Sequence, residues 1–273
     1  MGDRVAEFTV AIPVYNGARF IGEALDSIAR QDLDGVEVLV SDNASTDATP
    51  WILAEWQERL PLRVIRRART MPMRDHFNAL LDAVDGENYM LLCHDDYLAS
   101  PDALALARSA LAEHPEVSAV YCDLLFVNEN GRRLARRSFG RAGAFDVEQT
   151  GLRTLRTGRN LFGIPLAIRR KALGDLRYGD KFLYTMDIDL SWSLGETGGA
   201  WHIAEPLIAN RYSAGNTTWG LLRHAHREYI DLAAKHARAP GPLGKARIAA
   251  TSAVVALQKL AFRAYERAQT RWA

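Results

Sequence analysis

Short apolar runs alternate with segments of helical periodicity through the first hundred residues of this chain. The runs themselves show no helical period, which is the pattern of strands buried on both faces of a parallel sheet. They predict four strands, at residues 8–12, 36–40, 62–65 and 89–93. Because helices are predicted between the strands, the order indicates a doubly wound half-domain with right-handed crossovers.

The fourth run is followed directly by His94, Asp95 and Asp96. In open α/β sheets, ligands bind outside the carboxyl ends of the strands, so the loops after the first, second and fourth strands should form a nucleotide-sized cleft. Two adjacent carboxylates repel each other, and Mg²⁺ or Mn²⁺ is the simplest ion to offset them. A helix cap is the structural alternative, but Ser100 and Pro101 already supply a cap and a first helical residue.

Beyond residue 100 the chain reads as longer strands with fewer helices between them. A strand at 117–127 ends in a hairpin turn at 128–131, and further strands are expected at 160–168, 200–205 and 207–212. Pro206 separates the last two. The arginine-rich stretch 132–141 is most simply a solvated strand or loop, with a site for an anionic acceptor or a membrane surface as the open alternative.

A helix is predicted to begin near Asp187, because Ile188 and Trp192 lie on one helical face. Acidic residues in a first helical turn are favoured by the helix dipole, so Asp187 has a structural explanation as well as a functional one. Asp189 lies two positions further on and is expected to point away from the cleft. We therefore interpret Asp189 as structural.

The chain from Trp219 onward is predicted to be helical, with one break at 239–242. In the last helix one apolar row and one basic row can be followed, the first through Val254, Leu257, Ala261, Tyr265, Ala268 and Trp272 and the second through Lys259, Arg263, Arg267 and Arg271. Packing of the apolar row on the domain, with the basic row in solvent, is the favoured interpretation. Docking of this helix on an anionic membrane is the alternative, and pairing of two copies is also open.

The composition narrows the class of protein. A formal net charge of +1 argues against nucleic acid as a main partner. Cys93 and Cys122 lie in separate apolar runs and do not form a metal-site pattern, which favours a reduced, cytoplasmic protein. The first residues lack a signal-peptide core, and no apolar segment approaches the roughly 20 residues of a membrane-spanning helix. We expect a cytoplasmic protein that is soluble or lies on the inner membrane surface.

Four motifs, in this order and spacing, resemble glycosyltransferase family two: residues 11–16 (Ala-Ile-Pro-Val-Tyr-Asn), 40–47 (Val-Ser-Asp-Asn-Ala-Ser-Thr-Asp), 92–96 (Leu-Cys-His-Asp-Asp) and 187–190 (Asp-Ile-Asp-Leu). The resemblance covers about residues 8–218. It implies the A-type fold, a mostly parallel, Rossmann-like central sheet with flanking helices, and inversion at the anomeric centre of a nucleotide sugar. The expected layout is a catalytic domain at 1–218, with a nucleotide-binding half at 1–99 and an acceptor half at 100–218, followed by a helical extension at 219–273.

The resemblance also implies roles for individual residues. The nucleotide would be bound by six residues, namely Pro13, Tyr15, Asn16, Asp42, Arg74 and Asp95. Asp96, together with Asp95, would hold a divalent cation, and Asp187 would be the catalytic base. The expected donor is a UDP- or dTDP-sugar, and the acceptor hydroxyl belongs to a glycan, a lipid-linked molecule or a small molecule. Processive relatives carry Gln-x-x-Arg-Trp, whereas Gln269 to Trp272 is one residue shorter, so transfer of one sugar is expected.

Three positions depart from the family pattern. Cys93 stands where many relatives have the first acid of the metal motif, Met186 replaces an acid that often precedes the base, and Ser213 stands where some relatives have a histidine ligand. A nucleotide-sugar-binding protein without catalysis is therefore the alternative function. A sugar nucleotidyltransferase is disfavoured, because residues 13–17 are not a glycine-rich, basic loop that could hold a triphosphate.

Overall fold

The computed structural model of the 273-residue chain describes residues 6–212, 218–237 and 240–270. Within these ranges the strands form one mixed sheet of ten: β1 Phe8–Val14, β2 Val36–Asp42, β3 Leu62–Arg66, β4 Asn88–Leu91, β5 Tyr97–Leu98, β6 Ala119–Asn128, β7 Arg133–Arg137, β8 Gly143–Phe145, β9 Pro165–Arg169 and β10 Ala200–Tyr212. The helices are α1 Ile21–Ala29, α2 Thr49–Gln57, α3 Met73–Leu81, α4 Ala103–Glu113, α5 Val147–Thr157, α6 Arg170–Leu173, α7 Met186–Gly198, α8 Thr218–Leu221, α9 Ala225–His236 and α10 Pro242–Thr270.

The first half of the sheet has the predicted topology. Its strands follow the order β3-β2-β1-β4, and all three neighbouring pairs are parallel. Every residue of β1 is buried, because helices cover both faces of this central strand. The carboxyl ends of β1, β2 and β4 therefore lie together at one edge of the sheet, where the predicted site residues follow.

The second half of the sheet is mixed. The order continues as β9-β6-β10-β5, with β9 antiparallel to both neighbours and β6 parallel to β10. The hairpin of β6 and β7 forms at the predicted turn, where Gly131 has a φ of +75°. The short strand β5 directly follows the acidic pair and is antiparallel to β10, so β10 is attached to the acidic loop.

Several predicted boundaries were wrong. The two strands expected on either side of Pro206 are one strand, β10. Pro206 sits at a register irregularity of this strand, which accommodates a residue without a backbone N–H. The strand expected from 160 begins only at Pro165, because Asn160 Oδ1 accepts hydrogen bonds from the backbone N–H groups of Phe162 and Gly163 and turns the chain. Helix α4 begins at Ala103 rather than at Pro101.

The favoured packing of the last helix was also wrong. Val254 and Leu257, from the predicted apolar row, are 54% and 66% exposed, whereas Lys259 is directed inward and donates to the Tyr184 hydroxyl over 2.9 Å. Helix α10 instead buries Ser252 and Val255 against the domain. The side chains of the remaining predicted residues, Arg263, Tyr265, Arg267, Ala268, Arg271 and Trp272, lie outside the described set, as does Ser213. No helix in the described part of the chain is long and apolar enough to cross a membrane.

Candidate active site

The acidic pair lies in a tight turn between β4 and β5. The backbone N–H of Asp96 donates to the carbonyl of Cys93 over 3.0 Å, and the Asp96 side chain is 4% exposed. One Asp96 oxygen accepts from the backbone N–H of Arg211 over 2.8 Å, and both accept from Nδ2 of Asn210 at 3.0 and 3.1 Å. These donors hold the carboxylate in one orientation at the edge of the cleft.

Cys93, Asp95 and Asp96 form a cluster of candidate metal ligands in this turn. The Sγ of Cys93 and a carboxylate oxygen from each of Asp95 and Asp96 lie within 4.8 Å of one another. Burial, together with the charge of Asp95, raises the pKa of Asp96 well above its usual range, so the ionised pair is costly without a cation. Carboxylate oxygens suit Mg²⁺ and Mn²⁺, whereas a soft thiol does not. Burial also raises the pKa of Cys93, which keeps this thiol protonated. Asp95 and Asp96 are therefore the residues that fit a divalent cation.

Arg211 organises this turn and was not predicted as a site residue. It is 1% exposed, its Nε donates to the carbonyl of Asp95 over 2.9 Å, and it forms an ion pair with Glu23 of α1. Its guanidinium also lies over the ring of Phe20, 4.7 Å from the centroid. The only sequence signal for this role is an arginine near the end of a strand. Asp96, which accepts from the backbone N–H of Arg211, is 115 residues away in the sequence.

Asp42 is the buried acid on the nucleotide side of the cleft. It is 1% exposed, and its Oδ1 accepts from the backbone N–H of Ser45 over 2.9 Å. Its Oδ2 is buried without a hydrogen-bond partner in the described part of the chain, although Arg66 Nε lies 3.5 Å away. A buried carboxylate oxygen with unused acceptor capacity is suited to a ligand hydroxyl or N–H group.

Three of the predicted nucleotide residues lie at the end of β1 and in the loop after it. Pro13 is buried in β1, whereas Tyr15 is 48% exposed and presents its ring to solvent. Asn16 has a φ of +50°, and its Oδ1 accepts from the backbone N–H of Thr46 over 2.9 Å. This hydrogen bond joins the loops after β1 and β2, so Asn16 is a residue that shapes the cleft as well as a candidate contact.

Gly17 allows the acidic loop to approach the β1 loop. A Cβ at this position would lie 2.5 Å from His94 Cδ2 and 2.5 Å from a methyl of Val14, which is closer than real Cβ contacts. The imidazole of His94 therefore packs on the Gly17 backbone. Among the described residues, His94 does not belong to the candidate metal cluster. Its contact in the structure is the packing against Gly17.

Arg74 belongs to α3 and makes its described ionic contacts away from the acidic pair. Its guanidinium donates to Asp75 over 2.6 Å and pairs with Asp180, which is in the loop before α7. The ion pair with Asp180 connects α3 to the loop before α7. These contacts place Arg74 at the rim of the cleft. Its guanidinium would have to break an ion pair with Asp75 or Asp180 in order to bind a phosphate.

Asp187 lies in the first turn of α7, as expected. Its Oδ2 accepts from Nδ2 of Asn160 over 2.8 Å. The carboxylate is open to solvent but surrounded on most sides by protein, and this desolvation raises its pKa above the ordinary value. The charge of Asp187 acts on Cys93, so the predicted base lies within electrostatic range of the acidic cluster. A carboxylate that is accessible and has a raised pKa can accept a proton from a bound hydroxyl group.

Two further carboxylates position α7. Glu228 of α9 accepts from the backbone N–H groups of Leu183, Tyr184 and Thr185 at 2.8 to 3.1 Å, which orients the segment before the helix. Asp189 is 3% exposed and binds Lys235 and His236, each at 2.7 Å. The interpretation of Asp189 as a structural residue is consistent with these contacts, whereas nothing in the sequence pattern pointed to Glu228.

The comparisons with known proteins agree with this fold. The model of glycosyl transferase family 2 matches residues 9–177, which is more than half of the chain. The chain therefore belongs to this family. Its sheet and helices have the A-type arrangement: S. aureus TarS (residues 1–349) superimposes with a TM-score of 0.66 at 20% identity, covering 90% of this chain and 70% of that one. A mannosyltransferase from Pyrobaculum calidifontis, in complex with GDP-Man and Mn²⁺, superimposes with a TM-score of 0.61 at 23% identity, covering 99% and 76%.

Two curated relatives come from Mycobacterium bovis. A PGL/p-HBAD biosynthesis glycosyltransferase is 30% identical over 177 residues, which cover 62% of this chain and 66% of that protein. An uncharacterized protein is 37% identical over 123 residues, which cover 44% of this chain and 35% of that protein. The chain thus matches only about a third of the length of the second relative.

Proposed function

We propose that the chain is an inverting glycosyltransferase that moves one sugar from a UDP- or dTDP-sugar to a hydroxyl group of a glycan, a lipid-linked molecule or a small molecule. The catalytic unit is residues 1–218, and 219–273 is a helical extension. Family membership supports the activity, as do TarS structures in complex with UDP and with UDP-GlcNAc. The observation that carries the proposal is the acidic cluster of Cys93, Asp95 and Asp96, in which Asn210 and Arg211 hold the Asp96 carboxylate in one orientation.

The chemistry follows from this arrangement. Glycosyl transfer has an oxocarbenium-like transition state in which negative charge develops on the departing diphosphate. Asp95 and Asp96 would hold Mg²⁺ or Mn²⁺, which when bound supplies a Lewis acid for this charge. Asp187 accepts the proton of the acceptor hydroxyl as that oxygen attacks the anomeric carbon. Asn160 keeps one Asp187 oxygen occupied, so the other is directed to the acceptor.

The donor nucleotide would lie between the loops that follow β1 and β2. Tyr15 offers an exposed ring for the base, and Pro13 and Asn16 shape the same wall. The Oδ2 of Asp42, which accepts no hydrogen bond from the described residues, is suited to accept from the base or the ribose. Arg74 and Asp95 complete the proposed nucleotide contacts near the ribose and the diphosphate.

The test is thermal unfolding with UDP, dTDP, GDP and CDP, each with Mn²⁺ or with chelator, followed by product analysis with the donor sugars of the nucleotide that binds. A nucleotide at about a hundred times its Kd adds about 2.7 kcal/mol to the free energy of unfolding. We expect a metal-dependent shift for UDP or dTDP that is lost in Asp96→Ala and kept in Glu113→Gln, an exposed carboxylate on α4. If no nucleotide shifts the midpoint, the donor site is wrong.

The alternative function is nucleotide-sugar binding without catalysis. The replacement of an acid by Cys93 in the metal cluster favours it, because fewer anionic ligands remain. Asp187→Asn distinguishes the two functions, since this variant should bind the nucleotide as tightly as the wild type. Loss of sugar transfer in Asp187→Asn supports catalysis, whereas a wild type that binds a donor but neither transfers nor hydrolyses it supports the alternative.

We further place the protein in the cytoplasm, peripheral to the inner membrane face. Helix α10 presents Leu243, Val254 and Leu257 to solvent, at 88%, 54% and 66% exposure. An exposed apolar row of this kind supports contact with lipid or with a second copy of the chain. Flotation with vesicles and sedimentation of wild type and Leu257→Gln distinguish these two outcomes. A monomer that does not float would contradict both.

A further inference from the structure

Two half-buried cations, Arg137 and Lys259, lie close enough to Asp187 to feel its charge. Arg137, the last residue of β7, donates to the backbone carbonyl of Asn160 and lies over the ring of Phe139, 4.8 Å from its centroid. Lys259 of α10 donates to the Tyr184 hydroxyl over 2.9 Å. The two side chains come from elements more than a hundred residues apart in the sequence.

The same residues connect both cations to the proposed base. Asn160 accepts from Arg137 through its carbonyl and donates to Asp187 through its amide. Lys259 binds the hydroxyl of Tyr184, three residues before Asp187. A third cation, Arg159, is exposed and donates to Gln258 of α10 over 3.0 Å, so α10 also contacts the segment next to Asn160.

The charge of these cations is incompletely balanced. Within residues 6–212, 218–237 and 240–270, neither Arg137 nor Lys259 makes an ion pair with a carboxylate. Burial lowers the pKa of both side chains, and the positive charge of Arg137 lowers the pKa of Lys259 further. Asp187 is the carboxylate whose charge acts on both, and the nearby Glu228 directs its oxygen to backbone N–H groups. Two half-buried cations beside one carboxylate leave a net positive site.

The chemistry of this pair defines the ligand. An arginine presents a planar fork of donors that matches a phosphate or carboxylate group, and an ammonium group adds a point charge with three donors. We propose that Arg137 and Lys259 bind a phosphate or carboxylate group of the acceptor, next to the hydroxyl that Asp187 deprotonates. The inference rests on the proposed function and narrows its acceptor to an anionic molecule.

The first experiment uses inorganic phosphate as a probe on protein saturated with UDP and Mn²⁺, so that the nucleotide site is already filled. We expect phosphate to raise the unfolding midpoint of the wild type. Arg137→Gln and Lys259→Gln should bind phosphate at least about tenfold more weakly, because each loses a charge-assisted hydrogen bond. The matched controls are Arg133→Gln, an exposed arginine of the same strand, and Lys245→Gln, an exposed lysine of the same helix, and both should bind phosphate like the wild type.

The outcomes separate this inference from the function itself. The anion site is overturned, while the transferase proposal stands, if UDP binds but phosphate does not raise the unfolding midpoint of the wild type. The same conclusion follows if all four variants lose the phosphate-dependent rise equally. If Arg137→Gln and Lys259→Gln weaken UDP and leave phosphate binding intact, the cations serve the donor diphosphate and the inference is likewise wrong. If UDP does not bind at all, the proposed donor site has failed. The midpoints without ligand show whether each variant is folded.

A second experiment identifies the source of the anionic group. Wild type and variants are floated with vesicles of phosphatidylcholine and with vesicles that also contain phosphatidic acid. Flotation that needs phosphatidic acid and is lost in Arg137→Gln and Lys259→Gln indicates a lipid headgroup. Phosphate binding without such flotation indicates a soluble phosphorylated or carboxylated acceptor. Both results support the site, whereas flotation unaffected by these two variants, together with no phosphate binding, contradicts it.

Discussion

Asn160 donates a hydrogen bond from its Nδ2 to Oδ2 of Asp187 over 2.8 Å. Desolvation by the surrounding protein raises the pKa of Asp187, and this hydrogen bond lowers it. The loop that contains Asn160 thereby adjusts the basicity and the orientation of the proposed base. The same asparagine accepts from Phe162 and Gly163 through Oδ1, so its position is set by a turn of the backbone.

Asn160→Asp tests this relationship. The substitution keeps the Oδ1 acceptor of the turn and replaces the donor amide by an oxygen, so the two carboxylates repel and the pKa of Asp187 rises further. A base is active when it is deprotonated, so the acid limb of the pH–rate profile should move to higher pH. The rate of transfer at pH 7 should fall by about tenfold or more. An unchanged profile, with an unchanged unfolding midpoint, would argue against Asp187 as the base.

Asp187 and Asp189 should respond in opposite ways to the same substitution. Asp189→Asn breaks the pairs with Lys235 and His236 and is expected to reduce the free energy of unfolding by about 2–3 kcal/mol. Asp187→Asn should leave the free energy of unfolding unchanged or slightly higher, because desolvation by the surrounding protein disfavours the ionised form of Asp187. Urea unfolding of both variants, beside the transfer assay, measures this difference. Equal destabilisation by both substitutions would contradict the division of roles.

Gly17→Ala should loosen the contact between the β1 loop and the acidic loop. The new methyl would overlap His94 and Val14, so we expect a loss of about 1–3 kcal/mol in stability and weaker UDP binding. Gly22 of α1 is a matched control, because a Cβ there meets nothing within 4 Å. Gly22→Ala should raise stability by about 0.5–1 kcal/mol and leave UDP binding unchanged. Calorimetric titration and urea unfolding give both quantities.

Stability should fall in acid because of His76. This side chain is 3% exposed, its Nε2 lies 2.9 Å from Ser41 Oγ, and burial lowers its pKa from 6.5 to about 4. Between pH 6.5 and pH 4, His76 is protonated in the unfolded chain but remains neutral in the folded chain. The free energy of unfolding therefore decreases as the pH falls from 6.5 toward 4. The loss from this group is about 3 kcal/mol.

His76→Gln provides the comparison for that loss. Glutamine cannot titrate but can still form a hydrogen bond with Ser41. Urea unfolding at pH 7 and at pH 4.5 should therefore show a smaller decrease in stability for the variant than for the wild type. Identical decreases for the two proteins would exclude His76 as the group responsible.

The parallel half of the fold was predictable from the sequence because its signals are local. A short apolar run that ends in polar residues indicates a buried strand and its loop without knowledge of any partner. Asp42, Asp95 and Asp96 follow such runs, and Asp187 lies at a helix start that its neighbours indicate. The meeting of these loops follows from the topology that a strand–helix alternation favours.

The acceptor side depended on contacts between distant segments. The face that a terminal helix buries is chosen by the surface it meets: α10 turns Lys259 inward and leaves Leu257 in solvent, against its own pattern. Arg211 and Asp96 are 115 residues apart, and Glu228 reaches the backbone before α7 from another helix. The sequence by itself determined the strands, the loops and the acids at their ends. Only the tertiary structure decided which distant donors and cations surround those acids, because such contacts leave no periodic signal in the chain.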